Sequence, residues 1–531
     1  MDGSAGRERN GRGRHTGWSS VEWRGTPPRT PGAPLVTTAR PTAVIILAAG
    51  EGTRMKSATP KVLHRIGGRS LLGHALVAAR GSHAESVVVV VRHDRDRVAA
   101  HATEVDEAAV IADQDEIKGT GRAAECGLMV LPEGLSGTVL ITSGDTPLLT
   151  AETITALFTA HDTSASAVTV LTARVPDPTG YGRILRADDD SVLGIVEHKD
   201  ATDDQREITE INSGIWAFDV DVLRTALGSV GTDNSQGEKY LTDVLAIASD
   251  GGHRVGAHLI DDLWQTEGVN DRVQLAALGR ELNRRNNEKW MREGVTIVDP
   301  ATTWIDADVT LGRDATILPN TQLLGATSVG AGARIGPDTT LTDTEVGEGA
   351  EVKRTEANLA QIGAQATVGP FSYLRPGTVL GTKGKIGGFV ETKNAKIGDG
   401  AKVPHLTYAG DATIGDGANI GAGTIFANYD GVNKHHTTIG KHSFIGSDTV
   451  LIAPVDVADG AYVAAGSALT GDVEPGQIAV ARGRQKNVDG WVARARAGSQ
   501  TAAAAQAAAD AGTRHTEKNP EPTTESQEKK A

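Results

Sequence analysis

The sequence predicts two folds in series, a Rossmann-like α/β domain followed by a parallel β-helix built from hexapeptide repeats. Three observations carry this. From about residue 43 to 268, short β-rich runs alternate with helical stretches, the pattern of strands joined through helices. From Ile305 onward an aliphatic residue returns at every sixth position over long stretches, a period that neither a helix nor an antiparallel sandwich generates. At 531 residues the chain also exceeds what one core supports, because single cores stop growing beyond roughly 250–300 residues.

Taken in order, residues 1–40 hold seven arginines against three acidic residues, much Gly and Pro, and no apolar stretch fit for a signal-peptide core; a disordered extension is expected. The α/β domain is expected over 41–268, with strands at Ala43–Ala48, Ser86–Val91, Thr138–Thr142, Ala167–Leu171 and Gly214–Phe218. Leu275, Leu278 and Leu282 have helical spacing among many Arg and Asn residues, so 269–293 reads as a linker helix. Hexads then fill 294–487: Ile305, Leu311, Ile317, Leu323, Val329, Ile335 and Leu341, then Ile362, Val368, Leu374, Leu380 and Ile386, then Ile439, Ile445, Leu451, Val457, Val463 and Leu469. They are interrupted at Phe426–Thr438, where Val432 is the one aliphatic residue near the expected step, so a loop should leave the coil there. Residues 488–531, Ala-rich and then Lys/Glu/Pro/Thr-rich, read as a disordered tail.

Composition narrows the function. A formal charge of −14 argues against a nucleic-acid partner, since such proteins present a basic face to phosphates. Cys126 is the single cysteine, which excludes an intramolecular disulfide and a cysteine-built zinc site and suits a reducing cytoplasm. The longest apolar runs, Val44–Ala49 and Val87–Val91, are far short of the roughly 20 residues that span a bilayer; no membrane partner is expected.

The first strand runs into Leu47, Ala48, Ala49 and Gly50, with Arg54 and Lys61 close behind. Small residues after a strand let backbone N–H groups approach a phosphate, and the two cations would neutralise it; glycines there are also compatible with a plain tight turn. More specific are Gln114 with Gly119-Thr120-Gly121, the run Ser143–Leu148 containing Asp145, Tyr181-Gly182-Arg183-Ile184, the run Val196–Ala201 containing Glu197, Glu210–Gly214 containing Asn212, and Glu267–Asn270. In this order the motifs resemble the sugar-nucleotide pyrophosphorylases, and within them the bifunctional N-acetylglucosamine-1-phosphate uridyltransferase / glucosamine-1-phosphate acetyltransferase family.

That resemblance implies UTP held by Leu47, Ala48, Ala49, Gly50 and Lys61, uracil contacted by Gln114, Gly119 and Thr120, the sugar held by Gly182, Glu197 and Asn212, and Mg²⁺ bound by Asp145 and Asn270. Attack of a sugar phosphate on the α-phosphate of UTP piles charge on non-bridging oxygens, so positioning and cations carry catalysis; Arg54, Lys61 and Mg²⁺ would supply them. Read alone, Asp145 could cap a turn and Asn270 a helix. Arg122 stands where the family commonly has His.

In the second half, Tyr373–Gly377, Phe389–Lys393, His405–Tyr408 and Asn428–Gly431 resemble the acetyltransferase half of the same family, whose β-helix is left-handed. Acetyl transfer from acetyl-CoA to an amine needs a base for the ammonium proton, and His suits neutral pH. The resemblance implies His405 as base, Arg375, Lys393 and Lys434 on the sugar phosphate, Tyr408, Asn419, Asn428 and Tyr429 around the sugar, and Ala422, Ser447, Ala465 and Arg482 on acetyl-CoA, with the Ala422 N–H facing the oxyanion. A lone His is also compatible with a plain surface hydrogen bond. Pro404 replaces a common Gly beside the base, and Ala427 a frequent Cys. A homotrimer is implied, with the Phe426–Thr438 loop reaching a neighbour, and a product that feeds bacterial cell-wall peptidoglycan. Two other readings stay open: a single-function pyrophosphorylase on a structural β-helix, and a catalytically dead regulatory subunit, against which the intact Arg54, Lys61, Asp145 and Asn270 speak.

Overall fold

A computed structural model describes residues 40–188, 191–234 and 237–512; the Arg-rich head expected to be disordered and the last part of the tail lie outside the described residues. The N-terminal domain is built from β1 (Ala43–Leu47), α1 (Leu71–Gly81), β2 (Ser86–Val91), α2 (Arg95–Val105), β3 (Val110–Asp113), α3 (Thr120–Met129), β4 (Thr138–Ser143), α4 (Ala151–Ser164), β5 (Val168–Arg174), the hairpin β6 (Arg183–Arg186) and β7 (Val192–Val196), β8 (Glu210–Asp219) and β9 (Val255–Ile260). The main sheet has the order β9-β5-β8-β4-β1-β2-β3, with the hairpin attached to β8. Only β8 runs against its neighbours on this path, and β1 lies parallel between β2 and β4.

Helices cover both faces, which is why the central strands are apolar without alternation. Ile45, Val88 and Val90 pack to one side, and Val44, Ile46, Val87 and Val89 to the other. The chain steps from β1 outward through β2 to β3, then returns to place β4 on the far side of β1. The strand order therefore reverses between β1 and β4, and a crevice opens beyond their C-terminal ends.

Helix α5 (Arg272–Arg292), 21 residues and about 31 Å long, joins this domain to the second. Its asparagines close the open end of the β-helix. Asn283 donates to the Thr303 carbonyl at 2.7 Å and accepts from the Ile305 N–H at 3.0 Å, as a neighbouring strand would. Asn286 donates to the Ile305 carbonyl, and Asn287 to the carbonyls of Pro300 and Thr303. An exposed strand edge is thus satisfied by side-chain amides.

The second domain is a left-handed β-helix whose short parallel strands stack coil on coil. Ile317, Ile335, Val352, Val368, Ile386 and Val403 are successive partners in one inward row, all fully buried. The gap in the hexads between Leu341 and Ile362 is not a break: Val346, Val352 and Ala357 take the inward places, some at five-residue steps. At the later interruption the inward place belongs to Phe426, fully buried, whereas Val432 is 82% exposed. Residues 428–436 leave the coil between the strands Ile425–Ala427 and Thr437–Ile439.

Part of the segment expected to be disordered has structure. Trp491–Ala495 and Gln500–Asp510 are helical. In the second, alanine carries the highest helix propensity, and Ser499 caps the first turn by accepting from the Ala502 N–H. Among the described residues no helix is long and apolar enough to cross a membrane.

Candidate active sites

The crevice beyond β1 and β4 is a cleft of about 760 Å³. Leu47, Ala48, Ala49, Gly50, Lys61, Gln114, Gly119, Thr120, Asp145, Gly182, Glu197, Asn212 and Asn270 all line it. Arg54 stands at its rim, where the guanidinium donates to the Asn270 Oδ1 at 2.7 Å. Lys61 forms an ion pair with Asp145, whose other oxygen accepts from the Ser143 hydroxyl at 2.6 Å. The turn-capping reading of Asp145 fails, since its carboxylate is engaged by these two side chains. The helix-capping reading of Asn270 fails as well, because Asp271 caps α5 by accepting from the N–H groups of Val273 and Gln274.

The loop from Gln114 to Gly119 is rigidly tied. Gln114 is buried and its amide donates to the carbonyls of Ile117 and Gly119 at 2.9 and 3.2 Å. Gly119 has φ of +112°, and a Cβ there would lie 2.1 Å from the Lys239 carbonyl oxygen, so only glycine fits. The Thr120 hydroxyl accepts from the Leu241 N–H at 3.1 Å. Arg122 points away from the cleft, bridging Asp115 and Glu125, and Lys239 also reaches Glu125. The Arg122 hydrogen bonds hold the Asp115 carboxyl below its ordinary value.

On the opposite wall Gly182, Glu197 and Asn212 converge. A Cβ on Gly182 would stand 3.3 Å from a Glu197 carboxylate oxygen, and the Asn212 N–H donates to the Gly182 carbonyl at 2.9 Å. Sequence reasoning missed Arg92, Lys118 and Glu238 and gave no role to Tyr181, although all four also line the cleft. Arg92 follows β2, directly after the residue whose carbonyl accepts from the Gln114 N–H; its position at a strand's C-terminal end was the available signal.

On the β-helix, the predicted residues fall into two rows on either side of one corner. Lys402, Asn419, Phe444 and Tyr462 are successive partners along one face. Three residues further along each strand stand His405, Ala422, Ser447 and Ala465, in four consecutive coils. Arg482 continues the row by donating to the Ala465 carbonyl at 2.7 Å. The Gly423 N–H is engaged by the His405 carbonyl, whereas no hydrogen bond is recorded for the Ala422 N–H among the described residues.

Around the corner lies the second row. Tyr373, Glu391, Tyr408 and Ile425 are partners in register, and Lys393 pairs with Gly410. The missing side chain of Gly410 makes room for the Tyr408 ring, whose hydroxyl would lie 2.3 Å from a Cβ there, with the Asn428 amide 2.9 Å away. Asn428 is buried and donates to Asp411 at 2.6 Å, and Asn394 donates to the other oxygen at 2.8 Å. Lys434, carried on the interrupting loop, meets Lys393; this contact and its charge, with further help from burial and Arg375, lower the Lys393 pKa. Arg375 pairs with Glu391 at 2.9 Å. Burial raises the Asp411 pKa, but the amides of Asn394 and Asn428 and the charges of Lys434 and Lys393 outweigh it and hold the carboxyl below its ordinary value.

Three placements bear on the expected arrangement. The loop folds onto its own coil, with Lys434 at Lys393 of the same chain. Tyr429 is mostly exposed and donates its hydroxyl to the Gly431 carbonyl inside the loop. Asn419 lies on the other face from Arg375, Lys393 and Tyr408, and Phe371, Phe389 and Leu406 stand exposed along the corner between the faces, the two rings stacked at 5.3 Å.

A switch-point cleft with glycine-rich loop, paired cations and an acidic oxygen defines a nucleotidyltransferase, and here it is joined to a second, cation-lined site on a β-helix. The family of MobA-like NTP transferase domains matches residues 44–203. A protein of Pseudarthrobacter chlorophenolicus named Bifunctional protein GlmU is 60% identical over 470 residues, 88% of this chain and 96% of that protein. Proteins of the same name from Corynebacterium aurimucosum and Streptomyces avermitilis are 59% and 58% identical, each over 88% of this chain and 97% and 98% of their own length. The chain belongs to the GlmU family of bifunctional proteins.

Proposed function

We propose that the two sites divide the family's two reactions as follows. The chain is a glucosamine-1-phosphate N-acetyltransferase and an N-acetylglucosamine-1-phosphate uridyltransferase; acetyl transfer belongs to the β-helix and uridylyl transfer to the α/β cleft. The product of the first is the substrate of the second, and the final product, UDP-N-acetylglucosamine, is an activated amino sugar for cell-wall synthesis. The single-function reading is set aside by the cluster of Arg375, Lys393 and Lys434 around Tyr408 and Asn428. A structural coil has no reason to gather three cations at one point; a site for a sugar phosphate does.

In the cleft, the donor set fits a hard divalent cation. Asp145 brings a carboxylate oxygen and Asn270 an amide oxygen to the same cleft, and no group of three or more His, Cys, Asp or Glu side chains is found among the described residues, so phosphate oxygens and water would complete the shell. Asp145 and Asn270 would hold Mg²⁺, which supplies charge neutralisation at the phosphates. Leu47 to Gly50 line the nucleotide's part of the cleft; the Ala48 N–H is already given to the Val90 carbonyl, which leaves those of Ala49 and Gly50 for the nucleotide, and Gln114, Gly119 and Thr120 meet uracil from the tied loop. Gly182, Glu197 and Asn212 hold the sugar with its phosphate toward Arg54 and Lys61. Attack of the sugar-phosphate oxygen on the α-phosphorus forms the new P–O bond as the bond to pyrophosphate breaks, and those two cations stabilise the spreading charge.

On the β-helix, His405 takes the ammonium proton of glucosamine-1-phosphate, the freed amine attacks the thioester carbonyl, and the Ala422 N–H stabilises the oxyanion. The thiolate of CoA leaves and is protonated. Arg375, Lys393 and Lys434 hold the phosphate; Tyr408, Asn419, Asn428 and Tyr429 frame the sugar; and the Ser447, Ala465 and Arg482 row carries acetyl-CoA. Because Asn419 and His405 are separated from Arg375 and Lys393 by the Phe371–Leu406 corner, the two rows are best closed by a second copy, as in a cyclic homotrimer whose exposed corner residues become buried. The domains are read as 41–268, the linker 269–293 and 294–487.

The test supplies glucosamine-1-phosphate, acetyl-CoA, UTP and Mg²⁺ and follows free thiol and pyrophosphate separately. Both are expected. Thiol release should vanish in His405→Ala and pyrophosphate release in Asp145→Ala. Pyrophosphate only from acetylated sugar, with no thiol in any condition, would overturn the assignment of the β-helix.

A further inference from the structure

Arg183 is 1% exposed and takes no part in the chemistry above. Among the described residues no ion pair neutralises it. One guanidinium nitrogen donates to the Tyr181 carbonyl, another to the His198 Nδ1 at 3.1 Å, and the buried Nε finds no partner. Asp177, on the exposed Asp177–Thr179 turn, is held below its ordinary value by Thr179 first and only further off by the Arg183 charge. A guanidinium buried on these terms is costly, and an apolar side chain of similar volume would serve packing as well or better.

Its two partners explain what it does. Tyr181 and His198 are the immediate neighbours of Gly182 and Glu197, the residues placed on the sugar, and they come from the two strands of the β6–β7 hairpin region. The Tyr181 carbonyl belongs to the peptide unit that carries the Gly182 N–H. That unit is planar and trans, so fixing the carbonyl toward the buried guanidinium turns the N–H the opposite way, toward the cleft. The Gly182 carbonyl is fixed in turn by the Asn212 N–H. Accepting at Nδ1, His198 must carry its proton on Nε2 and be neutral.

We infer that Arg183 is a positioning residue for the sugar subsite: from behind the wall it ties the Tyr181–Gly182 peptide to His198, aiming the Gly182 N–H into the cleft and setting its distance to Glu197. This rests on the reading of Gly182 and Glu197 as sugar-binding residues.

The test measures KM for N-acetylglucosamine-1-phosphate and for UTP in Arg183→Met, His198→Leu, His198→Asn and Glu197→Ala, with thiol release from glucosamine-1-phosphate as an internal control for folding. Arg183→Met and His198→Leu should raise the sugar KM about tenfold, the size of one lost charged hydrogen bond, and leave the UTP KM and thiol release unchanged. Asn places an acceptor where Nδ1 stood, so His198→Asn should stay near the parent value. An unchanged sugar KM in both Arg183→Met and His198→Leu, with Glu197→Ala raised, overturns the inference alone; an unchanged KM in Glu197→Ala overturns the subsite reading and the inference with it. If Arg183→Met does not fold, equal sugar KM values in His198→Leu and His198→Asn overturn the tie.

Discussion

The Arg54 guanidinium donates to the Asn270 side-chain oxygen at 2.7 Å across a separation of 216 residues, joining the loop after β1 to the residue just before the α5 cap. Alongside, Lys61 pairs with Asp145. Each of the two cations proposed for catalysis therefore rests on one of the two side chains proposed for Mg²⁺ before substrate arrives. Replacing Asp145 by Asn removes the charge that both Lys61 and the metal use. Pyrophosphate release should fall by roughly 10²–10³, the scale of a lost electrostatic contributor, with thiol release unchanged. Equal loss at both sites would mean that the variant is unfolded or that the sites are not independent.

The second site lends itself to a titration. The Lys393 pKa is lowered, first by the contact and charge of Lys434 and then by burial and Arg375. Lys434→Ala should therefore move the Lys393 pKa upward toward its ordinary value, read by pH-dependent NMR of labelled lysine. The same variant should raise KM for glucosamine-1-phosphate, because one of the three donors proposed for its phosphate is gone. A sugar phosphate bound to the intact chain should also raise the Lys393 pKa, as an anion favours the charged form. No movement in either case would place Lys434 outside the site.

How far the sequence reaches differs between the halves. Hexads fix the β-helix because an inward side chain recurs with every side of the coil, and even the shorter steps at Val346 and Ala357 keep an inward residue on each side. Motif spacing also collects the cleft residues, since strand ends in an open α/β sheet all point to one edge. Three-dimensional neighbours without a local pattern stay hidden. Arg92 and Lys118 are ordinary surface cations until β2 and the 114–119 loop are seen to share the cleft. Val432 resembles a hexad residue and is not one, because Phe426 has already filled the coil. The asparagines of α5 read as polar helix residues, and their strand-like pairing exists only once the coil is docked.

That docking gives a stability prediction. Asn283 is buried and satisfies both the Thr303 carbonyl and the Ile305 N–H. Asn283→Leu leaves the Ile305 N–H without this partner, whereas the Thr303 carbonyl keeps the Asn287 amide, so the cost is about 1–3 kcal/mol for one unsatisfied group. Thermal unfolding of the β-helix should begin earlier, and hydrogen exchange at Ile305 should quicken while that in β1 does not. Unchanged exchange at Ile305 would show that the helix does not close the edge.

Acid stability should be governed by two buried histidines. His74 and His161 both lie at about 4, chiefly because burial disfavours the imidazolium. Their folded values are below the unfolded value near 6.5, so the unfolded chain binds more protons between pH 6.5 and 4. Stability present above that window is lost as pH falls through it and is constant below it. A shift of this size corresponds to on the order of 3 kcal/mol per histidine. His161→Gln, which can keep a hydrogen bond to Thr169, should flatten the denaturation midpoint between pH 6.5 and 4; an equally steep fall would assign the acid sensitivity to other groups.

Pro404 offers the sharpest test of the β-helix site. In the next two coils the equivalent residues, Gly421 and Gly446, donate their N–H groups to the carbonyls of Ile445 and Val463 at 2.8 Å each. Proline has no N–H, so the corresponding rung to Ile420 is missing beside the proposed base. Pro404→Gly restores the donor, worth about 1 kcal/mol, but frees the unfolded chain by a similar amount; net stability should change little. The orientation of His405 is what should respond. If the missing rung holds the imidazole in a working position, kcat for acetyl transfer should fall in Pro404→Gly while KM for acetyl-CoA and all uridylyl transfer stay constant. A kcat equal to or above that of the parent would show that the rung is dispensable and that the ring is set by the corner residues Leu406 and Thr407 instead.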